Sequence, residues 1–405
     1  MAWIATTFII FHQTHSVLST SFPSICFFVP AVLLGPLSTR LSSRFGATKI
    51  FIFSETAVGL VTVLPAAMAM VGKLHMVTLL IWEFAQGSAI GLQGPSKNML
   101  IRNLAPLAKV PEYNSKILRS VAISAVIGFL AGGALLDIFG PLWTFIINAL
   151  SSLALATVVL PRFHDRTHNL EHETMSLAFP VLRKSPGLRS AFLMFATVTL
   201  VGSIVVLFPS IADHLGKGAS GVSILNMAFV FGGLFIVGSI RFLHQRVKWS
   251  AVIWVGMVMM LFFLIFLVMS YYASLTHTLS LILVGLVLLP LGFLVSLQTS
   301  ILTALVQVSS QKESETSILE LFALLPMIII PVSEALIGLL SDKFSINIAL
   351  MSVGATLLGV FIWGILTHQK QSLAEINQQE IVTPLNLMTA LRGTIRPQRG
   401  ESTTR

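Results

Sequence analysis

Residues 35–50, GPLSTRLSSRFGATKI, form a basic segment between two strongly apolar stretches. The preceding stretch, residues 20–41, and the following one, residues 50–72, carry one charged side chain each. A helix needs about 20 apolar residues to cross the hydrocarbon core of a bilayer, so each stretch is long enough. The segment therefore predicts two membrane-spanning helices joined by a short loop. The loop is expected on the cytoplasmic side, because Lys and Arg collect there.

The composition of the whole chain agrees with a membrane protein. Of its 405 residues, 55% are hydrophobic and 10% are charged, whereas soluble domains carry about 25% charged residues. The single cysteine excludes a disulfide within one chain. The net charge of +9 favours contact with anionic lipid head groups, because the basic residues cluster in loops. We expect the bilayer as a partner and no nucleic acid.

Eleven stretches have the length and composition of membrane-spanning helices. They are residues 20–41, 50–72, 76–96, 117–136, 140–160, 190–212, 219–240, 250–272, 278–303, 318–340 and 345–367. Residues 2–11 are also apolar, but at ~1.5 Å per residue they cover about half of a ~30 Å hydrocarbon layer. The sequence thus predicts about eleven full spans plus a truncated first helix, and a start of translation about 20 residues further upstream.

Basic residues collect on one side of these spans. One set of alternate loops, together with the tail, holds 22 of the 25 Lys and Arg residues. The bias predicts a protein of the inner or plasma membrane whose longest loop, 161–189, and tail, 368–405, lie on the cytoplasmic side. The loop would separate an N-terminal half, 1–160, from a C-terminal half, 190–367.

Two segments at a constant offset indicate an internal repeat. GGALLDIFG has Gly133 four residues before Asp137, and GLLSDKFS has Gly338 four residues before Asp342. The two pairs are 205 residues apart, each at the predicted external end of a span. Related halves of this kind are common among transporters.

The segment 35–50 resembles the loop motif of the major facilitator superfamily, roughly G-x-L-A-D-R-x-G-R-[RK]. Leu41, Arg44 and Gly46 match it, whereas Thr39 replaces the usual Gly and Ser43 the usual Asp. The last substitution weakens the charge-relay role that the family gives to that Asp. The residues assigned to this motif are Gly35, Arg40, Arg44, Gly46 and Lys49.

Residues 94–106, 139–153 and 207–233 resemble the exporter group that contains enterobactin and macrolide efflux proteins. This resemblance implies an all-α integral membrane fold of two six-helix halves. It also implies a monomeric permease that exports a small hydrophobic or amphipathic compound, such as a drug or a siderophore-like molecule, by proton antiport and alternating access. A lysolipid or lipid flippase of the same fold is an alternative, as is a truncated sensor or interaction protein that transports nothing.

Ionisable side chains inside a bilayer are costly and therefore indicate function by default. Glu83, Gln86 and Gln93 share one face of the helix predicted over 76–96. Glu334 lies near the middle of the span 318–340. These four residues are candidates for binding protons or a cationic substrate, although pairing of Glu83 with a Lys or Arg on a neighbouring helix is an equal alternative.

Small residues recur every four positions along the span 117–136. Such a ridge lets a second helix approach closely. The residues assigned to helix packing are Ser120, Ser124, Gly128, Gly132 and Gly133. The family places an antiporter motif, G-P-x-x-G-G, at this position, and this chain lacks its Pro.

Other chemistries have no comparable signal. No G-x-x-x-x-G-K-[ST] loop is present, so ATP-driven transport is not expected. His164, His168 and His172 recur at helical spacing; metal binding is conceivable, but we expect a solvated loop. The sequence predicts no enzyme, no cofactor and no metal site.

Overall fold

A computed structural model describes residues 2–104, 110–159, 182–183, 185–235, 249–272, 277–309 and 315–367. Every regular element in these ranges is a helix. The elements are α1 (Ala2–Thr14), α2 (Val17–Phe45), α3 (Ala47–Met70), α4 (Met76–Leu104), α5 (Val110–Val159), α6 (Pro186–Gly202), the 3-10 helix η1 (Ser203–Leu207), α7 (Phe208–His214), α8 (Ala219–Gly233), α9 (Trp249–Tyr272), α10 (His277–Ser309), α11 (Glu315–Lys343) and α12 (Ile346–Leu366).

Two elements divide the chain differently from the predicted spans. Helix α5 runs through the predicted spans 117–136 and 140–160 and breaks at Gly140, where φ is 77° and ψ is 179°. Conversely, α6, η1 and α7 form one continuous apolar segment, Pro186–His214, which corresponds to the predicted span 190–212. The break lies between the two predicted spans, where a loop is expected. The helix is interrupted there because Pro141 cannot donate the backbone hydrogen bond that would continue it.

Eight segments within the described ranges are long and apolar enough to cross a membrane. They are Val17–Gly35, Ala47–Met70, Ile123–Val158, Pro186–His214, Ser250–Ser270, Thr278–Val306, Leu321–Lys343 and Ile346–Leu366. Large apolar side chains such as Leu33, which is 71% exposed, cover their outer surfaces, as expected for helices that face lipid. The chain is therefore a multi-pass membrane protein, and the count of eleven full spans stays a prediction.

The helices pack as two groups with α1 between them. Helix α2 packs on α4 and α11, and α5 packs on α3 and α8. One buried apolar cluster draws mainly on α6 to α12, and a second one draws on α1, α3, α4 and α5. Ile4 of α1 belongs to the first cluster and Ala5 to the second. Neighbouring residues of α1 therefore face different groups, which places this helix at the centre of the bundle.

Helix α2 is fixed closely against α4. A Cβ atom added to Gly87 would stand 2.1 Å from the carbonyl oxygen of Phe27, and one added to Gly91 would stand 2.8 Å from Cα of Ala31. Such small residues let the backbones of two helices touch. This contact positions the face of α4 that carries Glu83.

Candidate functional site

Two carboxyl groups are almost completely buried inside the helical bundle, on opposite sides of α2. Glu83 of α4 is 1% exposed and Glu334 of α11 is 2% exposed. Ser24 of α2 contacts Glu334, and Cys26, two residues later, lies within electrostatic range of Glu83. These two α2 positions are about 3 Å apart along the helix axis, so both carboxyl groups act on the same turn of α2.

Glu334 has a hydrogen-bond donor. The Ser24 hydroxyl group donates to Oε2 of Glu334, so this bond joins α2 to α11. Helix α11 also contains Pro326 and Pro331, and proline removes a backbone hydrogen bond and bends a helix. The Glu334 carboxyl group is thus held at the contact of two helices that are far apart in sequence.

Glu83 has a less well-placed donor than Glu334. The Thr6 side chain of α1 interacts with its carboxyl group, yet neither Thr6 Oγ1 nor Glu83 Oε1 has a hydrogen-bond partner of normal geometry among the described residues. The Gln86 Oε1 atom, one helical turn further along α4, is also buried and unpartnered there. Among the side chains that the structure describes, no Lys or Arg acts on the Glu83 carboxyl group, so the alternative of a paired Glu83 finds no partner among them.

Gln93 occupies a different environment from Glu83. Its Nε2 atom donates a hydrogen bond to Oε1 of Glu55 on α3, and Glu55 is buried. The polar stripe predicted on α4 therefore divides into two groups. Gln86 lies with Glu83, whereas Gln93 joins α4 to α3.

The loop motif lies at the turn between α2 and α3. Gly46 alone separates these helices; its φ is 97°, and its N–H donates to the Ser42 carbonyl oxygen over 3.0 Å. This backbone conformation is strongly unfavourable for any residue that carries a side chain. Arg40, Arg44 and Lys49 are exposed around the turn, and the guanidinium carbon of Arg44 stands 5.3 Å from the centre of the Phe45 ring. Gly35 lies within α2, where an added Cβ atom would meet nothing within 4 Å.

The small residues of α5 are unequally buried. Ser120 and Ser124 are exposed and Gly128 is partly exposed, whereas Gly132 and Gly133 are buried. An added Cβ atom on Gly133 would stand 2.0 Å from Oγ of Ser223 on α8. The close approach to α8 is therefore observed at the Gly133 end of the predicted ridge.

Asp342 and Asp137 cap helices that are distant in sequence. The Asp342 carboxylate accepts hydrogen bonds from Ser16 Oγ at 2.6 Å, from Val17 N at 2.8 Å and from Leu18 N at 3.1 Å. Carboxylates stabilise helix N-termini by accepting from their free N–H groups and by opposing the helix dipole. Asp342 therefore ties the end of α11 to the start of α2.

Asp137 makes the equivalent contact on α8. Its carboxylate accepts from Ala219 N at 3.1 Å and from Ser220 N at 2.8 Å. The glycine four residues before each aspartate also packs on the capped helix: a Cβ atom on Gly338 would stand 2.7 Å from Cα of Leu18. The two segments singled out as a sequence repeat thus make matching contacts, α11 with α2 and α5 with α8.

Sequence reasoning missed the side chains that surround the two carboxyl groups. Thr6, Ser24 and Cys26 belong to α1 and α2, and their residue types are common within membrane helices, so no pattern singled them out. The predicted histidine series, His164, His168 and His172, lies outside the described residues. In the ranges that are described, no group of three or more His, Cys, Asp or Glu side chains could hold a metal ion.

A bundle of apolar helices with buried carboxyl groups indicates a functional membrane protein, and comparison with known proteins gives the family. The family model described as Major Facilitator Superfamily matches residues 1–325. The chain therefore belongs to the Major Facilitator Superfamily and is a transporter, not an enzyme.

Solved transporters have the same fold at low sequence identity. A D-xylose-proton symporter aligns with a TM-score of 0.71 and 11% identity, covering 89% of this chain and 92% of that one. The nucleoside transporter NupG gives 0.68 and 12%, covering 90% and 95%. A bacterial homologue of the human lysosomal transporter Spinster gives 0.59 and 15%, covering 96% and 94%.

One curated relative is similar over part of its sequence. Efflux pump ustT of Ustilaginoidea virens is 27% identical over 168 residues, which are 41% of this chain and 29% of the pump. The aligned part is thus less than a third of that protein's length.

Proposed function

We propose that this chain is a secondary active transporter that exports small hydrophobic or amphipathic compounds in exchange for protons. The observation that carries the proposal is the pair of buried carboxyl groups, Glu83 and Glu334, on opposite sides of α2. Carboxyl groups inside transporters commonly bind and release protons along the transport path. The partial similarity to an efflux pump supports export over import.

The proposed mechanism is alternating access between two halves, residues 1–160 and 190–367, joined by the loop 161–189. In a twelve-helix frame of eleven full spans and a short first one, a shift of six spans relates α2 to α8 and the first part of α5 to α11. The contacts of α2 with α11 and of α5 with α8 are then equivalent, as expected for two halves about a pseudo-twofold axis.

Glu334 lies within one of these contacts between the proposed halves. Its bond with Ser24 crosses from α11 to α2, and proton exchange at Glu334 would change that bond. Binding of a proton at Glu334 would therefore act on the contact that must rearrange when the halves rock. The Lys and Arg distribution supports a cytoplasmic position for the Arg44 turn and the loop 161–189 in the cell membrane. A monomeric state is part of the proposal through the resemblance to the exporter group.

The proposal is tested in an efflux-deficient bacterial host. Cells that express the chain should accumulate less of some compounds in a panel of dyes and antibiotics than cells with an empty vector. Glu83→Gln and Glu334→Gln should abolish the difference at equal expression, because neither amide can carry the proton. The exposed Asp213 supplies the control variant Asp213→Asn, which should export as the parent does.

Two results would contradict the proposal. Accumulation that equals the empty vector across the whole panel would favour a protein that transports nothing. Undiminished export by both glutamine variants would remove the proton sites and would favour a carrier of the same fold that moves lipid without them.

A further inference from the structure

We propose that Ser24 is a positioning residue for proton coupling. Through its hydroxyl group an ionised Glu334 holds α2 against α11, so that a carrier with neither a proton nor cargo does not reorient. The inference rests on the proposed function and deepens it, because it names the contact on which the proton acts. It also assigns no response to protons to the other contact between the proposed halves, that of α5 with α8.

The Ser24 hydroxyl group is the side chain that hydrogen-bonds Glu334 among the described residues. Ser24 is 0% exposed and Glu334 is 2% exposed, so the bond lies away from solvent. A hydrogen bond to an ionised acceptor is roughly twice as strong as one between neutral groups. The bond therefore holds α2 and α11 together most firmly when Glu334 is ionised, and it weakens when Glu334 binds a proton.

Other titratable residues lie away from this bond. Helix α11 packs on α2, α6, η1, α10 and α12, and η1 and α12 contain no titratable residue. The titratable residues of the remaining elements are Cys26, Arg40 and Arg44 on α2, Arg189 on α6, His277 on α10, and Glu315, Glu320, Asp342 and Lys343 on α11. Arg189 and His277 lie in the first turns of their helices. On α2 and α11, all but Cys26 are eight or more positions from Ser24 or Glu334, which is about 12 Å or more along the axis.

The contact of α5 with α8 is built on the same plan as that of α11 with α2. Asp342 caps α2 at Val17, and Asp137 caps α8 at Ala219. The capped residues are 202 positions apart, and the aspartates are 205 positions apart. These two offsets therefore relate α2 to α8 and α5 to α11.

A second pair of contacts obeys the same offsets. Gly87 of α4 packs on the Phe27 carbonyl group of α2, and Gly292 of α10 packs on the Phe229 carbonyl group of α8. The two phenylalanines are 202 positions apart, and the two glycines are 205 positions apart. Because independent contacts agree, the offsets identify the equivalent of any residue in the contact of α2 with α11.

The equivalents of Ser24 and Glu334 do not titrate. Asn226 lies 202 positions after Ser24, and Phe129 lies 205 positions before Glu334. The Asn226 Nδ2 atom donates to the Val222 carbonyl oxygen of its own helix over 2.9 Å, and Phe129 packs on the buried apolar cluster of α6 to α12. Neither side chain has a group that a proton would neutralise. Of these two equivalent positions, only the one between α2 and α11 can respond to a proton.

This bond makes reorientation conditional. An exporter that exchanges cargo for protons must reorient with cargo or with a proton, because an empty return would move the compound without a proton. An ionised Glu334 without cargo is held by Ser24 in the conformation in which α2 and α11 touch. A proton weakens the bond, and bound cargo has to favour the other conformation by enough free energy to break it. The Ser24 hydroxyl group thus prevents slippage and does not itself carry the proton.

The contact is tested by double electron–electron resonance on the purified full chain in lipid nanodiscs. Spin labels are attached at positions 73 and 344, which are both exposed, after Cys26→Ser. In the parent, acid pH should raise the ratio of the long-distance to the short-distance population about 5-fold, the order expected when a charge-assisted hydrogen bond becomes a neutral one. Glu334→Gln should show the acid ratio at acid and alkaline pH alike. A ratio that does not depend on pH in the parent would overturn the proposal.

Substitutions of Ser24 separate its positioning role from packing. Ser24→Thr keeps the hydroxyl group, whereas Ser24→Val has nearly the same shape without it. The Thr variant should keep the response to pH, and the Val variant should lose it. Ser24→Ala should lose it as well and serves if the Val variant does not fold. Asn226→Ala, at the equivalent position of α8, is the control and should keep the full response. A response that survives in both Ser24→Val and Ser24→Ala would overturn the proposal, because a packing role shifts the ratio at both pH values alike.

Transport separates a failure of this inference from a failure of the proposed function. In proteoliposomes without a pH difference, Ser24→Val should move the exported compound down its gradient about 5-fold faster than Ser24→Thr. It should also lose uphill movement when a pH difference is imposed. Equal coupling in the two variants would leave proton-coupled export standing and would overturn the role of Ser24. A contact that responds to pH through Ser24 in a chain that transports nothing would support the positioning role and contradict the proposed function.

Discussion

Replacing Asp342 by Ala should weaken the contact between α11 and α2. The carboxylate accepts three hydrogen bonds at the start of α2, from Ser16 Oγ, Val17 N and Leu18 N. Loss of an N-cap side chain costs about 0.5–2 kcal/mol, and the exposure of Asp342 limits any added electrostatic effect. We therefore expect the state in which these helix ends touch to lose about 1–2 kcal/mol, a shift of roughly 5- to 30-fold in its population.

The shift can be measured as a distance. Spin labels are attached at positions 73, in the turn before α4, and 344, just after α11, because Lys73 and Phe344 are both exposed. Cys26, the single cysteine, is first replaced by Ser. Double electron–electron resonance should show more of a long-distance population in Asp342→Ala than in the parent. Asp342→Asn should show a smaller change, because Asn also caps helices well and only the charge is lost.

Asp137 gives an independent check, because it caps α8 in the same way. Asp137→Ala should shift the same population, and the double variant should approach the sum of the two free-energy changes, since the two caps share no hydrogen-bond partner. Identical distance distributions in the parent and both alanine variants would refute the reasoning that these caps hold the ends of the proposed halves together.

Two further predictions concern close packing and a hydrogen bond inside the bundle. Gly87→Ala should lower the midpoint of thermal unfolding in detergent, because its Cβ atom would stand 2.1 Å from the Phe27 carbonyl oxygen and overpacking costs about 1–3 kcal/mol; Gly359→Ala, where nothing lies within 4 Å, is the control and should not lower it. Trp82→Phe should cost at least about 1 kcal/mol in the same assay, because the indole N–H donates to Thr62 Oγ1 over 3.1 Å, a net hydrogen bond contributes about that much, and the smaller ring leaves a gap at a fully buried site. Thr62→Val should cost less in the Trp82→Phe background than in the parent, and equal costs in the two backgrounds would contradict the assigned bond.

The repeat at Asp137 and Asp342 illustrates what the sequence could predict. Two similar segments 205 residues apart indicate two related pieces of structure, and the structure gives both aspartates the same contact, a cap on a helix start. The sequence could not predict which helices are capped, because α2 and α8 lie far from those aspartates in sequence. A local pattern fixes the residue type, whereas long-range packing fixes its partner.

The polar stripe on α4 shows where a helical pattern stops being informative. Spacing placed Glu83, Gln86 and Gln93 on one face, and the depth of Glu83 in its predicted span agrees with its burial. Gln93 nevertheless bonds to Glu55 of α3, while Glu83 faces Thr6 of α1. The ten positions from Glu83 to Gln93 extend about 15 Å along a helix, and helices that cross at an angle offer different neighbours over that length.

Transport by the purified protein under an imposed pH gradient tests proton-coupled export most directly. Proteoliposomes that contain the full chain are given a pH difference across the membrane, and the movement of a compound found in the accumulation assay is followed together with internal pH. We expect the compound to move against its own gradient while protons move the opposite way, and we expect Glu334→Gln to stop both movements. Movement of the compound at the same rate with and without the pH difference would contradict proton-coupled exchange.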